Sequence, residues 1–273
     1  MTLLYHKDAK SSKIAKKMKD EVQLRNASAL LCVLCALCGF VVHSRSIAQE
    51  IKPAMKELVI KKTDDFEVDG TGKNAAWENA DWQPLTIVSK NTLPYETKLK
   101  IIYSPKGIYT LVDCQDATLT ATKTKFLDDI YTEDVVEMFI WPDEKPPVYF
   151  EYEISPLNVE LPILVSNNGK AFFGWAPWHY EGDRVIRKAT SVRGGRKESG
   201  AKIDGWTAEF FIPFRLLTGL PGVPPQPGDS WRVNVYRIDY DLGPKQAVQW
   251  AWDTNTGGNF HNYREFGRMT FEQ

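Results

Sequence analysis

An all-β fold, a single antiparallel β-sandwich or jelly roll, is what this sequence predicts, and three observations predict it. Short stretches alternate apolar and polar residues with the two-residue period of a strand. Clusters of Gly, Pro, Asn and Asp separate those stretches at close intervals, and the body of the chain has no long amphipathic helical pattern. At 273 residues and 43% hydrophobic content the chain can bury one large β core.

The first element is not part of that body. Lys13, Lys16, Lys17, Lys19 and Arg25 precede an apolar run from Ala29 to Val42, which has the length of a signal-peptide core and is short for a membrane span. Ser46-Ile47-Ala48 then supplies small residues for cleavage. Residues 1–48 therefore read as a signal peptide, with 1–17 an extension of the gene model if Met18 is the true start, and residues 49–273 as the domain. The expected location is secreted, periplasmic or at the cell surface, with no membrane insertion after cleavage; an uncleaved anchor is the alternative. Cys32, Cys35 and Cys38 fall inside the apolar run as hydrophobic filler, so the mature chain keeps only Cys114 and has no internal disulfide.

Along the domain, Leu58-Val59-Ile60 reads as a short strand. The turn at Asp69-Gly70 leads to one or two helical turns around Trp77, laid on the core. Residues 97–103 and 108–114 flank the turn Ser104-Pro105-Lys106-Gly107 and read as a hairpin. Residues 149–154 alternate with Glu151 and Glu153 on one face. Residues 167–199 are less regular; Phe172, Phe173, Trp175 and Trp178 suit either a core flap or an exposed aromatic platform, with the core as the favoured reading. Residues 204–212 form a strand ended by Pro213, residues 231–240 the most regular alternation in the chain, and residues 249–252 and 266–271 the closing strands.

The chemically informative strand begins at Asp134. Its alternation sets Val135, Glu137, Phe139 and Trp141 on one side, and Val136, Met138 and Ile140 on the other. A carboxylate among aromatics needs a hydrogen-bonding partner, so Glu137 either pairs with an Arg of a neighbouring strand or receives a ligand hydroxyl. Charge excludes one class of partner: residues 1–48 carry eight Lys/Arg against three Asp/Glu, leaving 26 against 32 for the remainder. A mildly acidic body without a basic patch is not built for nucleic acid.

In order along the chain, Val68-Asp69-Gly70, Ala76-Trp77, Glu133 to Phe139, Gly205 to Glu209, Trp231 to Asn234, Asn259-Phe260-His261 and Phe266-Gly267 resemble the family 9 carbohydrate-binding modules, relatives of DOMON-type sandwich domains, over about residues 57–272. The resemblance implies a non-catalytic β-sandwich that holds mono- or oligosaccharides or polysaccharide chain ends, in carbohydrate catabolism. It implies no required cofactor, though calcium is often bound in such modules, so a structural calcium is an expectation by resemblance only. The family grips sugar between two tryptophans; the matching positions here are Tyr131 and Phe260, both aromatic. Its acidic ligand matches Glu137, and its Arg on the next strand falls near Glu151.

The expected saccharide-binding set is thus Tyr131, Glu137, Glu151, Asn259, Phe260 and His261, with stacking from the rings and hydroxyl contacts from the polar groups. Phe260 could equally cap the core, and His261 could cap backbone groups of its Gly-rich loop. Three other functions compete. A glycoside hydrolase would use two carboxylates such as Glu137 and Glu151, a haem-binding redox domain would need an axial ligand such as Met138 or Met269, and a partner-binding protein would need no sugar at all. The loop from Asp253 to Asn259 has oxygens at suggestive spacing, but Gly257 and Arg264 stand where an EF-hand loop needs ligands.

Overall fold

The computed structural model describes residues 53–273, so the signal-peptide reading of residues 1–48 lies outside the described residues. The strands in chain order are β1 (Glu57–Lys62), β2 (Gln83–Pro84), β3 (Thr86–Ile87), β4 (Thr97–Ser104), β5 (Gly107–Cys114), β6 (Val135–Trp141) and β7 (Val148–Ile154). They continue as β8 (Glu160–Asn167), β9 (Phe172–Pro177), β10 (Arg187–Arg193), β11 (Gly205–Pro213), β12 (Ser230–Asp239), β13 (Val248–Ala251) and β14 (Gly267–Phe271). A 3-10 turn over Ala75–Asn79, capped by the Asn74 side chain on the Ala76 N–H, buries Trp77 as expected.

Two sheets form the sandwich. The first runs β10-β11-β5-β4, and the second β14-β12-β6-β7-β8-β9, with β13 and β3 beside β12. β1 belongs to both: Glu57–Ile60 pair with β14, and Lys61 and Lys62 with β4. Both of these pairings are parallel, an exception to the otherwise antiparallel order expected from short turns. Residues that alternate inward from the two sheets make the main core, including Ile101, Val112, Met138, Ile140, Phe150, Tyr152, Trp206, Phe210, Trp231 and Val235. Close packing of such large side chains makes their truncation expensive, about 3–5 kcal/mol for a buried aromatic.

The two outer faces are covered as well. On the first sheet, Trp77 and Phe66 lie over Ile102, Tyr109, Leu111 and Phe211. Glu209 of β11 fixes that cover, accepting from the backbone N–H groups of Asp69 (3.0 Å) and Gly70 (2.7 Å) and from Trp77 Nε1 (2.8 Å). On the second sheet, Phe139, Tyr149, Tyr236 and Val165 are covered by Phe260, Tyr263 and Phe266.

Arg237, wholly buried between the sheets, ties them together. Its guanidinium donates to Thr97 Oγ1 (3.0 Å), the Gln115 carbonyl (2.6 Å) and Asp239 Oδ2 (2.6 Å), and pairs with Asp116 at 3.1 Å. Burial first, and the neighbouring carboxylates of Asp239 and Asp241, push Asp116 up to about 7 although Arg237 opposes them. Cys114 is a free, buried thiol. No helix among the described residues is long and apolar enough to cross a membrane.

Replacing Glu209 by Gln should destabilise the protein by about 1.5–3 kcal/mol, because three donors lose a charged acceptor. Urea unfolding of the variant measures the loss.

Candidate functional site

The site lies on the outer face of the second sheet, where the C-terminal cover stops short of the sheet edge. A cleft of about 450 Å³ opens there, lined by Tyr131, Glu137, Glu151, Glu153, Leu161, Ile163, Phe172, Trp175, Ile238, Gly258, Asn259, Phe260 and His261. All six residues singled out in the sequence reach this one cavity, although they come from four separate segments of the chain.

Strand pleating sets the floor. β6 turns Glu137 to the outer side beside Phe139, while Val136, Met138 and Ile140 enter the core between the sheets. In the antiparallel register Glu137 stands directly opposite Glu153 of β7, and Glu151 stands opposite Phe139. Glu137 therefore has a second carboxylate as its neighbour, where an Arg was the simplest expectation. Among the described residues no Lys or Arg forms an ion pair with Glu137, Glu151 or Glu153; the closest basic group is His261, with Nδ1 3.9 Å from Glu151 Oε2. Burial first, and mutual repulsion second, hold all three carboxyls well above the usual carboxylate range.

The loop over the floor is shaped by Gly257 and Gly258, consecutive residues with φ of 60° and 77° that only glycine adopts easily. Polar side chains on the sheet catch its backbone. Asn234 and Asp253 exchange hydrogen bonds of 2.9 Å, Tyr236 Oη donates to the Phe260 carbonyl at 3.4 Å, and Asn167 Nδ2 donates to the His261 carbonyl at 3.0 Å. The Asp253 carboxylate is taken up by the N–H groups of Lys56 and Asn255, so this loop holds its shape by its own hydrogen bonds.

Within the loop the three expected residues differ in role. Phe260 is only 9% exposed and stacks on Tyr236, with ring centroids 3.8 Å apart and planes 12° from parallel. The structure thus corrects its reading as a free stacking ring: one face is used by the core, and Phe260 chiefly closes the inner end of the cleft. Asn259 Oδ1 accepts the His261 N–H at 3.2 Å. His261 Nδ1 lies 2.6 Å from Tyr149 Oη. Burial holds the imidazole below its ordinary range and pushes the Tyr149 phenol up. Both partners of this hydrogen bond are thus held towards their neutral forms, and the imidazole brings no fixed positive charge to the cleft.

Tyr131 sits in a 3-10 turn over Ile130–Thr132, is 44% exposed, and forms one wall. Its turn is pinned by Tyr240 Oη, which donates to the Tyr131 carbonyl at 2.9 Å, and by the next residue but one, Glu133. Burial works to raise the Glu133 carboxyl, yet hydrogen bonds from Thr122 and Lys123 outweigh it and hold the group below its ordinary range.

The remaining rim is one the sequence reading assigned to the core. Phe172 (48% exposed) and Trp175 (44% exposed) lie on β9, the last strand of the sheet, and both face the cleft. In a regular strand residues three apart point to opposite faces. Here the register shifts at Ser166/Asn167, so that Asn167 pairs with Phe172 and Val165 with Trp175. The extra residue, Phe173, makes a β-bulge that brings both rings to the side of Ile163 and Val165, next to Gly174 with φ of 113°. Trp178 does join the main core and donates its Nε1–H to the Leu216 carbonyl at 2.7 Å.

The two methionines considered as haem ligands, Met138 and Met269, are both buried between the sheets, away from this cleft. Oxygens of Asp116, Asp239 and Asp241 converge within 4.8 Å, the one such group of three among the described residues. Arg237 already supplies counter-charge there.

A two-sheet sandwich with an aromatic-rimmed, acid-floored cleft on one outer face is the architecture of a ligand-binding module. The chain belongs to the carbohydrate family 9 binding domain-like family, whose profile matches residues 68–273. A protein of Arthroderma benhamiae described as "Extracellular protein" is 27% identical over 194 residues, 68% of this chain and 82% of the relative. A crystal structure from Bacteroides uniformis, described as "a putative carbohydrate-binding protein", superposes with a TM-score of 0.63 at 17% identity, covering 80% of this chain and all of that one. A family 9 carbohydrate-binding module from Caldicellulosiruptor kristjanssonii in complex with cellotriose superposes with a TM-score of 0.57 at 16% identity, covering 80% of this chain and 94% of that one. The same module with glucose gives 0.57 at 15% identity. At these identities the structural likeness is one of fold.

The acid floor has a consequence for stability. Because the folded-state pKa of each Glu is raised above the ordinary 4.5, the folded protein holds protons that the unfolded chain releases, and stability falls as pH rises from about 4.5 towards the raised values. Each unit of elevation costs about 1.4 kcal/mol once both pKa values are passed. Glu153→Gln should therefore raise the melting temperature at about pH 7.5 and leave it nearly unchanged near pH 4; calorimetry at the two pH values tests this.

Proposed function

We propose that the cleft binds a mono- or oligosaccharide, or the end of a polysaccharide chain, without catalysis. The observation that carries this reading is the combination of three exposed rings, Tyr131, Phe172 and Trp175, with a carboxyl-lined floor in one cleft. The apolar C–H face of a pyranose stacks on aromatic rings, and its hydroxyl rim needs hydrogen-bonding partners. Glu137, Glu151, Glu153, Asn259 and the His261 imidazole are the partners, with Phe260 closing the inner end. Membership of the carbohydrate family 9 binding domain-like family supports the same reading. The relative described as extracellular, together with the basic, apolar and small-residue succession of residues 13–48, supports a protein exported from the cell.

The family is one of binding domains, and no catalytic role is assigned to the three carboxyls. No release of reducing sugar is expected from any bound saccharide.

Tyr131→Ala and Trp175→Ala should each weaken saccharide binding about tenfold while leaving the melting temperature in place, whereas Phe260→Ala should lower both affinity and melting temperature. Titration calorimetry with a panel of saccharides, beside thermal unfolding, checks the three variants; wild-type affinity in Tyr131→Ala and Trp175→Ala would remove the site from this cleft. A structural calcium, if the chain takes one, would belong to Asp116, Asp239 and Asp241, which do not line the cleft. EDTA should accordingly leave affinity unchanged, and loss of binding on chelation would put a cation in the site.

A further inference from the structure

We propose that this cleft selects saccharides bearing a protonated amine, 2-amino-2-deoxy sugars and their short oligomers, over neutral sugars of the same shape. The inference rests on the saccharide-binding reading above and concerns the charge of the sugar.

Three carboxyls share the cleft floor, and among the described residues no Lys or Arg lines the cavity. Glu151 and Glu153 are 4% and 2% exposed, and the Oε2 atom of each has no hydrogen-bond partner. The other titratable groups around them add no fixed positive charge. They are Asp129 and Tyr131 from the preceding turn, Tyr149 on β7, Tyr236 on β12 with Tyr240 beyond its end, and His261 on the covering loop. His261 itself is shifted towards the neutral form by burial.

A neutral sugar hydroxyl can donate to these carboxylates, but it brings no charge, so the buried anions stay uncompensated or must be protonated. A protonated amine brings three donors and the missing positive charge together. The rim suits it as well, because Tyr131, Phe172 and Trp175 line the same cavity, and aromatic rings attract a cation as well as a sugar C–H face. A bare metal ion fits less well. The oxygens of Glu137, Glu151 and Glu153 do not converge within the 4.8 Å that gathers Asp116, Asp239 and Asp241. An ammonium held on a sugar frame makes no demand for a closed shell of six or more oxygens.

The test is titration calorimetry of the full chain, near pH 6, with three ligands of one size: the fully deacetylated glucosamine trimer, its N-acetylated counterpart and cellotriose. The amino trimer should bind at least about tenfold more tightly than either neutral trimer. That advantage should shrink as salt is raised, and it should shrink in Glu137→Gln/Glu153→Gln, which leaves Glu151 as the one carboxylate of the three and whose thermal unfolding confirms that it is folded. Equal or tighter binding of cellotriose or the N-acetylated trimer would overturn the charge preference and leave the saccharide reading standing. An advantage that survives both salt and the double substitution would also overturn it. Failure of all three trimers to bind would overturn the inference together with the reading beneath it.

Discussion

A β-sheet that is apolar on both sides has to be covered on both sides, and this requirement organises the whole domain. β6 and β12 turn one set of residues into the core between the sheets and an equally apolar set outward. The outward set on the second sheet, Phe139, Tyr149 and Tyr236 among them, cannot face water without cost, so the chain after β13 is drawn back across it. The cleft is the part of that face the returning loop leaves open. On the first sheet the segment around Phe66 and Trp77 does the same task and closes its face more fully, held down by Glu209. Binding capacity here is a property of incomplete cover, and the sheet's own alternation decides which side chains the gap reveals.

Burying charges in such a fold calls for a solution at each site, and the two acidic clusters have opposite ones. Between the sheets, Asp116 and Asp239 are answered by Arg237, whose remaining donors reach Thr97 and the Gln115 carbonyl and so join one sheet to the other. In the cleft, Glu137, Glu151 and Glu153 have no such answer among the described residues. A buried acidic group with an internal cation belongs to the architecture. One without it is left to be satisfied by protons or by whatever enters from outside.

Much of this was legible in the residues. The alternation from Asp134 assigned Glu137 to the side of Phe139 and Trp141, and that of residues 149–154 set Glu151 and Glu153 together, as the strands do. β8 was not legible: Leu161 to Val165 is apolar on both faces and interrupted by Pro162, so it carries no period of two. β9 escaped for a different reason, since its bulge defeats any reading based on alternation, and three exposed rings, Phe172, Phe173 and Trp175, were assigned to the core. The direct opposition of Glu137 and Glu153 depends on the register between β6 and β7, which neither strand encodes alone. Phe260 reached the right place with a different task, because only the fold shows that Tyr236 already occupies one face of its ring.

The bulge on β9 has an effect beyond presenting Phe172 and Trp175. β9 is the outermost strand of its sheet, with a row of backbone donors and acceptors facing outward and three large apolar side chains beside them. A straight strand of that composition would be a template on which a second chain could polymerise. One surplus residue twists the border out of line and interrupts the ladder, so the irregularity that gathers the rings for a ligand also guards an exposed aromatic margin against self-assembly.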